Sequence, residues 1–136
     1  MRWGRRMTLR GFVVGAAVVI AGMLLRGPLR GVDNEMPDGR PFRIEVLNGS
    51  GVQKAGLGLA EHLREKGFDV VDIRNADRAD YGETLVLDRV GEPEYAQAVA
   101  RELGVSSAFR QRNGDLLLEV TVILGRDLAP RYGEGT

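Results

Sequence analysis

Between Gly11 and Leu25 the chain is apolar on every side, a run of valine, leucine, isoleucine, phenylalanine and methionine among glycine and alanine with no charge. From Phe42 the pattern changes to alternation. Phe42, Ile44 and Val46 alternate with Arg43 and Glu45, a period of two that predicts a strand ending at Asn48. Ala55, Leu59, Ala60 and Leu63 then recur at helical spacing, with Glu61, Arg64, Glu65 and Lys66 elsewhere and Gly67 as the stop. Phe68 to Ile73 reads as a second strand. A right-handed crossover would set it parallel to the first.

After a polar stretch from Asn75 to Glu83 the pattern repeats. Thr84 to Leu87 reads as a strand, and Glu92 to Leu103 as a helix with Tyr95, Ala96, Val99, Ala100 and Leu103 on its buried face. Gly104 ends this helix, and Val105 to Arg110 adds a short edge strand. Asn113-Gly114 is a hairpin-turn signal leading into Leu116 to Leu124. Val120 to Leu124 is apolar on both faces apart from Thr121, which suits a central strand. The expected fold is a two-layer α/β domain, two helices on a four- to five-stranded sheet, behind one N-terminal transmembrane helix.

That helix is expected from the Gly11–Leu25 run. A span usually needs about 20 apolar residues, and the stems of Arg10 and Arg26 can lengthen a short one by snorkelling. Arg2, Arg5, Arg6 and Arg10 precede the run and Arg26 and Arg30 follow it, which favours a cytoplasmic N-terminus and an extracytoplasmic domain. A cleaved signal peptide shares the signature, and Arg5-Arg6 faintly resembles a twin-arginine export signal. The boundaries are then a basic cytoplasmic tail over 1–10, a signal anchor over 11–26, a Gly/Pro/Asp linker over 27–41, the domain over 42–128 and a tail over 129–136. The expected location is the bacterial cytoplasmic membrane, crossed once.

Charge sharpens the picture. Six of the nineteen basic residues precede Asp33, leaving thirteen against nineteen acidic ones from there onward. Such a domain is a poor candidate for nucleic acid, which is bound by neutralising phosphates with Lys and Arg. There is no cysteine, so neither a disulfide framework nor a thiolate metal site is available.

The turn Asn48-Gly49-Ser50-Gly51 between the first strand and helix is the foremost candidate for chemistry. A glycine turn before a helix can offer N–H groups to a phosphate or carboxylate. Neither nucleotide motif is complete, since Lys54 stands where G-x-G-x-x-G needs its third glycine and Leu57 where a phosphate-binding loop needs lysine. The structural alternative is that the glycines supply positive φ angles and Ser50 caps the helix. Arg126 and Asp127, after the last strand, either join a ligand site or pair and terminate the strand. His62, the single histidine, sits on a helix and is expected to be solvated or half-buried. Asp77, Asp80 and Glu83 read as solvated loop charge rather than a calcium site. Ser50, Ser106 and Ser107 lack a base to activate them.

Taken together, Val46-Leu47-Asn48-Gly49-Ser50-Gly51, Gly56-Leu57-Gly58-Leu59-Ala60, Gly67-Phe68-Asp69-Val70 and Val120-Thr121-Val122-Ile123-Leu124-Gly125-Arg126-Asp127 resemble the LytR C-terminal domain family. This is the accessory domain of LytR/CpsA/Psr cell-wall proteins, and also occurs alone behind a membrane anchor. The resemblance runs from Phe42 to Asp127. Glu119 departs from it, because the family typically has aspartate before the V-T-V. A cell-envelope context is implied and catalysis is not, for the phosphotransferase activity of those proteins lies in a separate, larger domain.

The expected function is therefore a non-enzymatic, membrane-anchored envelope module, with no cofactor and no metal, that binds a wall glycopolymer or a wall-assembly protein. Its expected ligand residues are Asn48, Gly49, Ser50, Gly51, Arg126 and Asp127. The alternative is an interaction protein that self-associates or pairs through a strand edge; an enzyme on an anionic envelope substrate ranks last.

Overall fold

A computed structural model describes residues 35–106 and 108–133. The Gly11–Leu25 run, and with it the expected anchor, lies outside the described residues. Among the described residues no helix is long and apolar enough to cross a membrane. Asn34–Thr136 form a compact unit of their own.

The elements follow in the order β1 (Arg43–Asn48), α1 (Ala55–Glu65), β2 (Asp69–Asn75), β3 (Leu85–Asp88), α2 (Pro93–Leu103), β4 (Ala108–Arg110), β5 (Val120–Leu124) and a 3-10 turn (Ala129–Arg131). They build a five-stranded mixed sheet in the order β2-β1-β5-β3-β4. β1 runs parallel to β2 and β5, β3 antiparallel to β5, and β4 parallel to β3.

The apolar periodicities explain the layers. Leu59, Ala60 and Leu63 of α1 and Ala96, Val99 and Leu103 of α2 are buried on one core with Ile44, Val46, Val70, Val86, Val122 and Leu124 of the sheet. Phe42 joins the two halves, its ring stacked 4.9 Å from Tyr95 and edge-on to Phe68 at 5.9 Å. Gly67 and Gly104 stop the helices as expected, in left-handed conformations with φ of 93° and 69°. β5 holds the central position, and all five of its residues are buried.

One expectation is overturned. Asn113 does make a turn, accepting the Leu116 N–H at 3.3 Å, but no hairpin joins β4 to β5. β4 pairs with β3 instead, and Gln111 and Asn113 donate their N–H groups to the carbonyls of Asp88 and Arg89. The intervening chain then crosses over β3 to reach the middle of the sheet, and Leu117 is left exposed on the way.

Strand alternation puts Glu45, Thr121 and Leu87 on the face away from the helices. Glu45 is 2% exposed there, and a carboxylate so buried needs partners. It accepts from the Thr121 hydroxyl at 2.7 Å and from Arg74 at 2.7 Å, and the Arg89 Nε donates to Thr121 at 2.8 Å. Glu119, likewise buried, accepts from the Arg43 backbone N–H at 2.6 Å and from its guanidinium at 3.1 Å. These pairs hold both arginines, Arg43 and Arg74, in their charged form.

Candidate functional site

The chain leaves β1 at a point where its order in the sheet divides, with β2 on one side and β5 on the other. Open α/β sheets form ligand crevices at the carboxyl ends of strands around such a point. Here the crevice has a volume of about 460 Å³ and lies between the 48–53 turn and residues 75–79 of the β2–β3 loop.

Side chains rather than chance shape the turn. The Asn48 Oδ1 accepts from the Ser50 hydroxyl at 2.7 Å and the Ser50 N–H at 3.2 Å, while Nδ2 donates to the Val52 carbonyl at 2.8 Å. Ser50 Oγ in turn accepts the Val52 N–H at 3.1 Å. Ser50 is thus spent inside the turn and does not cap α1. The residue at the cap is Lys54, itself left-handed at φ 61°, with no side-chain cap and no acidic residue in the first turn.

The two glycines have different reasons to be glycine. Gly51 adopts φ +76°, and a Cβ there would lie 2.9 Å from the Ala79 carbonyl oxygen. Gly49 needs closeness instead, because its Cβ would fall 2.5 Å from the Tyr81 ring. The loops are tied by backbone bonds, with Ala76 N–H donating to Asn48 O and Tyr81 N–H to Gly49 O, both at 2.9 Å.

Tyr81 anchors the far wall. Its hydroxyl donates to Asp77 Oδ1 at 2.8 Å, and the Arg78 guanidinium lies 4.4 Å from its ring centroid. The Asp77 bond, aided by burial, pushes the Tyr81 phenol above its usual range. Arg78 also approaches Asp80 at 3.4 Å. The crevice therefore presents exposed amides at Gln53 and Asn75, one carboxylate and one guanidinium. That is a mixed set of donors and acceptors suited to hydroxyls and a single anionic group.

Of the six residues expected to meet a ligand, Asn48 and Gly51 line the crevice; Gly49 and Ser50 are buried within the turn. Arg126 and Asp127 reach the same β2–β3 loop farther along, their N–H groups donating to Tyr81 O and Gly82 O. Asp127 Oδ1 accepts from the Thr84 hydroxyl at 2.7 Å and the Leu128 N–H at 2.8 Å, and Thr84 accepts the Gly125 N–H at 3.0 Å. Asp127 closes the strand end, and Arg126 is exposed. Asn75, Asp77, Arg78 and Tyr81 were not among the expected site residues. Asp77 reads from the sequence as solvated loop charge, and the further signal for this wall is a lone aromatic, Tyr81, in a polar stretch. His62 is half-buried as expected, 3.1 Å from Glu102 of α2 and beside Tyr132.

A two-layer α/β module with a crevice at its strand ends defines the structural class. The chain belongs to the LytR C-terminal domain family, LytR_C, whose model, described as LytR cell envelope-related transcriptional attenuator, matches residues 42–128. The family makes it a cell-envelope-associated accessory domain. No curated protein and no solved structure gives a match to the chain.

Proposed function

We propose that this protein is a non-enzymatic envelope module, anchored through Gly11–Leu25 in the cytoplasmic membrane with its domain outside, that binds a wall glycopolymer. The observation that carries the reading is the crevice, in which the Gln53 and Asn75 amides stand beside Asp77 and Arg78 at the uncapped start of α1. Amides that both donate and accept suit sugar hydroxyls, and the guanidinium with the helix start suits an anionic substituent. Non-enzymatic action is supported by the commitments of the reactive side chains. Ser50 is bonded within its own turn, and His62 is paired with Glu102. A wall-assembly protein in the same crevice is the second ligand class consistent with these groups.

Co-sedimentation with isolated wall sacculi, with and without their attached glycopolymers and across a salt series, tests the proposal. Binding that needs the polymer and weakens with salt is the expected result. Equal binding to stripped sacculi, or none to either, would refute the glycopolymer reading. A reporter fused after Thr136 that stays in the cytoplasm would refute the topology.

A further inference from the structure

The sheet ends in two edges of different character. At β2 the pairing with β1 shifts register between Ile44 and Glu45, and Asp69, Asp72 and Arg74 place charge along the strand, both common protections of an edge. At β4, Ala108, Phe109 and Arg110 are all exposed. Phe109 registers with Leu87 and so lies on the face away from the helices, 49% exposed; Ala108 registers with Val86 and lies on the helix side with Arg110. Gln111 donates its N–H to Asp88, so the alternation of a parallel pair turns Phe109 and Gln111 toward β3. The N–H and C=O groups of Ala108 and Arg110 point outward.

Beside that edge, between α2 and β4, runs a groove of about 390 Å³ lined by Gln97, Ala100, Arg101, Val105, Ser106 and Ala108. Arg101 is the one charged residue lining it, and Arg110 extends from the same side of β4. This is a basic rim on a domain whose sequence from Asp33 is acidic. Short length and charge also serve to protect an edge; a half-exposed phenylalanine and an adjoining groove do not.

We propose that the β4 edge adds a strand from a partner protein, and that this strand alternates acidic and apolar residues. Its backbone bonds the outward groups of Ala108 and Arg110. Its acidic side chains face the groove and meet Arg101 and Arg110, and its apolar side chains lie over Phe109. Backbone pairing gives the affinity of such additions and the alternating side chains the specificity. The surface is separate from the crevice, so either assignment can fail alone.

The test uses the full chain and a fluorescently labelled peptide of about eight residues alternating valine and glutamate, long enough for one strand, with lysine replacing glutamate as the control. Saturable binding of the glutamate peptide is expected, with salt sensitivity and little binding of the lysine peptide. Ala108→Pro removes an outward donor while leaving the inward bonds of Phe109 and Gln111, a substitution tolerated at the start of an edge strand. It should weaken binding about tenfold or more without lowering the melting temperature by much, since the lost bonds belong to the partner. Arg101→Glu with Arg110→Glu should do the same through charge, and carries the test if the proline variant does not fold. Equal binding of both peptides, no binding of either, or binding indifferent to these substitutions would overturn the proposal.

Discussion

Neither helix start has a side-chain cap, but the two differ in charge and in the turn that leads to them. α2 follows β3 through Asp88, whose Oδ1 accepts the N–H groups of Val90, Gly91 and Glu92 at 3.0, 2.8 and 3.2 Å, with Pro93 at the first helical turn. One buried carboxylate, 3% exposed, satisfies the loop, and with Glu94 in the first turn it sets negative charge against the positive end of the helix. α1 follows β1 through a turn of similar purpose, yet its polar side chains bond one another, its cap residue is left-handed and its first turn has no acid. The sealed start is architecture. The open start borders the crevice, where a ligand's anionic group would meet Arg78 and a helix start with no acid of its own.

The sharpest way to break this contrast is Asp88→Ala. Three partly buried N–H groups lose their one buried acceptor, and unfolding in denaturant should show a loss of about 3 kcal/mol with polymer binding per folded molecule unchanged. Gly49→Ala should cost about 2 kcal/mol, because Tyr81 must move from beneath the turn, and should also reduce sedimentation with sacculi. Asn48→Ala removes three hydrogen bonds in a partly exposed turn; about 1 kcal/mol is expected, with a larger fractional loss of binding than of stability. Gln53→Glu converts the open start toward the sealed one. It should raise stability by about 0.3 kcal/mol through the helix dipole while weakening attachment of an anionic polymer, so a variant that binds more tightly would contradict the reading of the crevice.

A last contrast appears only in alkali. Tyr95, in the first turn of α2, is raised above the usual phenol range chiefly by burial, with help from Glu92 and Glu94, whereas Tyr81 is raised chiefly by its Asp77 bond. Folding thus favours the neutral phenols. Above about pH 10, where an unfolded tyrosine ionises, stability should fall until the folded phenols ionise too. Tyr95→Phe should flatten that fall in a pH series of thermal melts.

Local periodicity carried most of the fold. Phe42, Ile44 and Val46 marked β1, the apolar stripes of both helices proved buried, and Gly67 and Gly104 stopped the helices where expected. Pairing between distant strands was not legible. Asn113-Gly114 signals a turn but says nothing about which strand accepts the chain before it, and β3 does so through Asp88 and Arg89. The site was half legible for the same reason. The glycine turn announced itself, but its opposite wall comes from residues 75–79, and Tyr81, which requires Gly49 to be small, is thirty-two positions away. Glu45 reads as an ordinary strand charge, and nothing local shows that it or Asp88, just past the expected third strand, is buried.

The open start of α1 is the proposed ligand site. The direct measurement is a backbone amide NMR titration of the protein with solubilised wall glycopolymer fragments. Shifts concentrated at 48–54 and 75–81, with the Asp88–Pro93 turn unmoved, are the predicted result. Saturation without change at those two loops, or changes centred on the α2 start, would contradict it.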